Sequence, residues 1–107
     1  MSGDLDPVIH AASRLRIMAV LSHMEADGEM SFENLRQLLD MTAGNLSVHA
    51  GKLEQAGYVR IAKTFEGRKP ATYLSLTDKG RAAYQNYLLQ LRALLTGEGT
   101  AKGESEG

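Results

Sequence analysis

Thr42, Ala43, Gly44 and Asn45 open a stretch in which polar side chains and thinly covered backbone stand together. If Thr42 caps a helix here, the first backbone N–H groups lack helical partners and attract phosphate oxygens. The carboxamide of Asn45 donates and accepts at once, the pairing that suits adenine in a major groove. Ser47 and His49 add hydrogen-bonding groups further along, and Lys52 adds a charge able to neutralise a phosphate. Ala43 and Gly44 are small, so a partner surface can come close. A second set of donors is Arg68-Lys69, framed by Gly67 and Pro70. Gly67 permits a tight turn, and Pro70 holds Lys69 extended. Such groups bind through hydrogen bonds and charge; they do not make or break bonds.

Groups suited to catalysis are missing. The 107 residues contain no cysteine, which excludes disulfides, thiolate metal sites and thiol redox chemistry. His10, His23 and His49 show no short ligand spacing, so no metal is expected. There is no nucleophile elbow and no phosphate loop, and the acidic residues are scattered. The chain is not expected to be an enzyme or to need a cofactor.

The net charge of −1 hides an uneven distribution. Residues 1–41 sum to −4 and residues 42–73 to +3. Residues 74–96 sum to +2 and the tail from Gly97 to −2. Positive charge gathers where the candidate donors lie, the pattern sought in a nucleic-acid binder.

The elements that must hold these groups follow from periodicity. Leu5, Val8 and Ile9 form a short apolar patch, with Pro7 suited to a first helical turn. Leu15, Ile17, Met18, Leu21 and Met24 predict a helix that Asp27-Gly28 ends. Ser31 is the expected cap of a second helix, with Phe32, Leu35, Leu38 and Leu39 turned inward. After the tight connection Asp40-Met41, Thr42 caps a third, running from about Ala43 to Ala56 with Leu46, Ala50 and Leu53 inside. Gly57 suits its end. Tyr58 to Phe65 and Ala71 to Leu76 read as strands around the polar turn Glu66–Pro70. A short strand near Glu29 to Ser31 is positioned to join them. Thr77 caps a last helix to about Leu95, with the stripe Tyr84, Tyr87, Leu88, Leu91, Leu94 and Leu95. The expected fold is mainly α with a small β-hairpin, a winged helix-turn-helix. One domain spans 1–96 and a disordered polar tail spans 97–107. No segment reads as a leader or a membrane span, so a cytoplasmic location is the expectation.

Taken together, Gly44-Asn45-Leu46-Ser47-Val48-His49 and Lys52-Leu53-Glu54-Gln55-Ala56-Gly57-Tyr58-Val59 resemble the recognition helix of small winged-helix regulators related to the MarR and ArsR groups. Phe65-Glu66-Gly67-Arg68-Lys69-Pro70 resembles their wing. Leu76-Thr77-Asp78-Lys79-Gly80-Arg81 and Arg14-Leu15-Arg16-Ile17-Met18 fit the same pattern, which covers roughly residues 5–95. The resemblance implies a transcriptional regulator that binds double-stranded DNA, with Asn45, Ser47, His49 and Lys52 facing DNA and Arg68 and Lys69 on the wing. It also implies a homodimer joined through its terminal helices. Ala50-Gly51 departs from the pattern, where Leu and a basic or polar residue are common. A glycine inside a helix costs about 1 kcal/mol relative to alanine.

The last helix supports the dimer independently. About 19 residues would run near 28 Å, long for so small a domain to cover alone. Tyr84, Leu88, Leu91 and Leu95, with Leu5, Val8 and Ile9, are the expected seam of a two-fold dimer. An unknown small-molecule effector would sit between the domain and these helices. The rival reading is a winged helix used only for protein binding. It would place an apolar patch on the outer face of the third helix, where Val48 alone is sizeable.

Overall fold

Three hydroxyl caps divide the chain into its helices. The computed structural model describes residues 5–26 and 28–97; Asp27 and the expected tail beyond Gly97 lie outside the described residues. Helix α1 spans Ala12–Ser22, strand β1 Met30–Ser31, α2 Phe32–Leu39 and α3 Ala43–Gln55. Strands β2 (Val59–Glu66) and β3 (Lys69–Leu76) follow, then α4 (Asp78–Thr96). Ser31 Oγ accepts the Asn34 N–H at 3.0 Å, Thr42 Oγ1 that of Asn45 at 3.1 Å, and Thr77 Oγ1 that of Gly80 at 2.9 Å. Each bond satisfies a donor that the first helical turn leaves open.

The helix ends are equally local. Asp40 takes the left-handed conformation (φ 55°), while Asp40 and Met41 N–H return to Gln37 and Arg36 carbonyls. Gly57 (φ 84°) ends α3 in the same way, with Gly57 and Tyr58 N–H on Glu54 and Leu53 carbonyls. Only Asp40, Met41 and Thr42 separate α2 from α3. Arg16 donates to Leu39 O at 2.7 Å and Arg36 to Met41 O at 3.3 Å, so two guanidinium groups brace that turn. Arg36 also pairs with Glu33, and its hydrogen bond holds the Glu33 carboxyl below its ordinary range.

The sheet has three antiparallel strands in the order β1-β3-β2. Met30 pairs with Leu74, and β2 runs against β3 from Val59↔Leu76 to Glu66↔Lys69. The wing turn is therefore Gly67-Arg68, shorter than the expected Glu66–Pro70. Lys69 and Pro70 belong to β3. Gly67 has φ 68° and Arg68 does not share a positive φ, the pattern of a two-residue turn with glycine first. Pro70 sits beyond the short β1, where β3 has a neighbour on one side only.

Ile17, Met18 and Leu21 of α1 pack with Leu35, Leu46, Leu53 and Leu74 in one core. Three expectations fail here. Leu38 is 62% exposed, because the inward stripe of α2 is Leu35 and Leu39. Ile9 and Tyr84, expected in the dimer seam, are buried within the chain's own core. The segment before α1 folds back to place Ile9 there. Asp6 Oδ1 accepts the Val8 N–H at 2.8 Å, and His10 Nδ1 lies 2.8 Å from the Tyr87 hydroxyl of α4. Leu5, Val8 and Leu91 are half-buried against the core, while Leu88 and Leu95 stand out from α4. Among the described residues no helix is long and apolar enough to cross a membrane.

Candidate nucleic-acid interface

Burial of Leu46, Ala50 and Leu53 fixes the rotation of α3. A period of 3.6 residues then sends Gly44, Val48, Gly51 and Gln55 along the opposite line. Val48 is 57% exposed. Asn45, Ser47 and Lys52 are exposed on the flanks, as are Thr42, Ala43 and Gly44 at the start. Because Thr42 takes the Asn45 N–H, the backbone donors left open at the helix start are those of Ala43 and Gly44. The Asn45 side chain remains available for a partner.

His49 departs from its expected place. It is half-buried, and its Nδ1 lies 3.3 Å from Arg14 Nη1 of α1. The imidazole is turned toward α1 and not toward the outer line. Gly51 has open space where a Cβ would stand, as does Gly44. Neither glycine is required by packing within the chain.

The wing lies beside this helix. Strand alternation puts Val59, Ile61, Lys63 and Phe65 on one face of β2. Ile61 and Lys63 line a groove of about 470 Å³ whose other wall includes Ser47, Gly51 and Glu54 of α3. Phe65, paired across the strands with Pro70, is 69% exposed on the same face. Arg68 stands at the turn and Lys69 next to it, both exposed. On the other face the Tyr73 hydroxyl donates to Glu66 Oε2, which occupies the wing's carboxylate. Among the described residues Lys52, Lys63, Arg68 and Lys69 pair with no carboxylate. None of the described residues forms a cluster of three or more potential metal ligands.

The helix start, Lys52 and the wing cations expected from the sequence are exposed on this side. Gly51, Gln55 and Lys63 join them on the same surface without having been among the expected site residues. Helical and strand periodicity carried forward from Leu46 and Val59 is the signal that finds all three.

Chemically the surface is a donor-rich, close-approach helix flanked by free cations. Such a surface binds a polyanion whose grooves admit a helix.

Comparison with known proteins agrees. Residues 13–95 match the family described as winged helix DNA-binding domain. An uncharacterized protein of Methanocaldococcus jannaschii is 32% identical over 87 residues, covering 81% of this chain and 91% of that protein. A transcriptional regulator homologue from Pyrococcus horikoshii superposes with a TM-score of 0.76 at 31% identity, over 84% of this chain and 86% of that one. Bacillus subtilis PadR, solved in complex with operator DNA, shares the fold with a TM-score of 0.61 at 18% identity, over 73% of this chain and 48% of PadR. The chain belongs to the winged helix DNA-binding domain family.

Proposed function

We propose that this DNA-binding chain is a sequence-specific transcriptional regulator that works as a homodimer and represses by occupying an operator. Helix α3 enters the major groove, and the wing rests on the backbone or the adjacent minor groove. The observation that carries this reading is the outer surface of α3, small or polar from Gly44 to Gln55 apart from Val48, beside a wing whose cations have no carboxylate partners among the described residues. Asn45 and Ser47 are the base-reading candidates, and the Val48 methyl groups suit a thymine methyl. Thr42, Ala43, Gly44, Lys52, Arg68 and Lys69 hold phosphates. His49 supports the helix from behind. Within the family, the motifs around Gly44–Val59 and Phe65–Pro70 support a relation to the MarR and ArsR groups.

The homodimer is supported by α4. Leu88, Leu89, Leu94 and Leu95 are 41%, 64%, 55% and 75% exposed, more apolar surface than one small chain usually leaves in water. Leu91, half-buried on the same helix, adjoins that surface, and Leu5 and Val8, half-buried before α1, are the remaining seam candidates. A two-fold dimer presents two α3 helices to successive major grooves about 34 Å apart, and so asks for a roughly palindromic site. The test is fluorescence anisotropy with random and selected duplexes across a salt series. Salt-sensitive binding with a clear gain on selected palindromes is expected. Binding with no selectable site would favour a protein-interaction role.

A further inference from the structure

We propose that the flank of α3 opposite the wing is a second phosphate-binding site, with Arg14 of α1 and Lys52 of α3 as its two cationic ligands. The proposal rests on the DNA-binding reading above and adds a backbone contact from an element outside the helix-turn-helix.

Arg14 is held in place before any partner arrives. Its Nε donates to Val8 O at 2.5 Å, and its Nη1 lies 3.3 Å from His49 Nδ1. Those bonds leave Nη2 without a partner among the described residues. A concavity of about 420 Å³ lies here, with Arg14 and Val8 on one wall and Lys52, Gln55 and Ala56 on the other. Among the described residues no acidic side chain lines it. Asp6, the nearest carboxylate in sequence, has Oδ1 on the Val8 N–H and Oδ2 on the Tyr58 hydroxyl. Glu54 lines the groove on the wing side of the same helix. Two cations therefore line one hollow with no neutralising carboxylate among the described residues of its wall.

A helix in a major groove lies between two phosphate backbones. The wing, with Lys63, Arg68 and Lys69, serves one side. Arg14 and Lys52 stand on the other, where a guanidinium fork fits a phosphate geometrically as well as by charge. A chain of net charge −1 can bind a polyanion only by concentrating its cations on the contact face, and this arrangement does so on both flanks.

The experiment uses the full chain and a selected duplex. Salt dependence is measured for the wild type, Arg14→Gln, Arg14→Lys and Lys52→Gln. Each charge removed from a phosphate contact should make the log–log slope shallower by about 0.9. Arg14→Gln and Lys52→Gln are each expected to lose that amount, and their double variant about twice it. Arg14→Lys keeps the charge and should keep the slope, although it gives up the Val8 contact. Equal weakening by Arg14→Gln and Arg14→Lys at unchanged slope would mean that Arg14 only braces α3, and would overturn the site. Lys52→Gln removes an exposed side chain with no bond among the described residues, so its slope reports the same hollow without risk to the fold; an unchanged slope there also overturns it. A wild type that binds no duplex at any salt overturns the DNA-binding reading itself.

Discussion

The phenolic hydroxyl of Tyr58 donates to Asp6 Oδ2 at 2.5 Å, tying the turn between α3 and β2 to the segment before α1. Burial, reinforced by the hydrogen bond to Asp6 and its negative charge, pushes the Tyr58 pKa up to about 12. Unfolded tyrosine titrates near 10. The folded state therefore holds the proton more tightly, and the stabilisation is fully present below about pH 10. It is lost as pH rises from about 10 through 12. Urea midpoints measured across that window should fall for the wild type. Burial raises Tyr87 as well, so Tyr58→Phe should flatten part of the decline and leave the rest.

Gly80 carries the next expectation. A Cβ built there meets Tyr58 O at 2.0 Å, a backbone atom that cannot swing away. Gly80→Ala must displace α4 or the chain after α3. Overpacking of this kind costs about 1–3 kcal/mol. Urea unfolding should show a lower midpoint at an unchanged slope, and an unchanged midpoint would mean that the contact relaxes freely.

Gly51→Ala should act in two directions. Open space awaits the methyl group, so the helix gains about 1 kcal/mol. The same methyl stands on the outer surface of α3 and should hold the helix away from a groove. Stability by urea should rise while affinity for a selected duplex falls. A rise in both would remove this part of α3 from the contact.

Asn45→Ala should cost about 1–3 kcal/mol at one base pair and little elsewhere. Thr42 still caps the helix through the backbone N–H of residue 45, so the fold is untouched. Binding to duplexes substituted at each position is the measurement. A base preference that survives intact would assign Asn45 to the backbone.

Leu95→Glu tests the proposed seam at a side chain that is 75% exposed within the chain. Sedimentation should shift from dimer to monomer with helical circular dichroism unchanged. A variant that still sediments as a dimer would place the seam elsewhere.

What the sequence revealed was what is decided locally. Ser31, Thr42 and Thr77 were readable as caps because a cap needs only its own first turn. The fate of Ile9 was not readable. Its burial depends on the Asp6 turn and the His10–Tyr87 contact, which bring distant parts of the chain together. His49 sits at the edge between the buried and outer faces of α3, and Arg14 on another helix settles which way it turns. Sequence alone gives a wing turn of five residues because Lys69 and Pro70 carry no apolar alternation. They join the strand because Glu66 and Phe65 stand opposite them.

Thr77 Oγ1 donates to Gly57 O at 2.6 Å, its N–H reaches Tyr58 O at 3.0 Å, and Gly80 lies against that same carbonyl. The end of α3 and the beginning of α4 are thus pinned at one joint, without slack. Buried Tyr84 and Tyr87 and half-buried Leu91 carry that anchoring along the 19-residue helix, so its last turn projects from a rigid base. In the proposed homodimer, the angle at which the leucines of that end meet the partner would therefore set the orientation of α3. The spacing between two reading heads would then be set by the leucine end of the molecule. Substitutions among Leu88, Leu91 and Leu95 would retune which half-site separations are accepted without touching a residue that meets DNA.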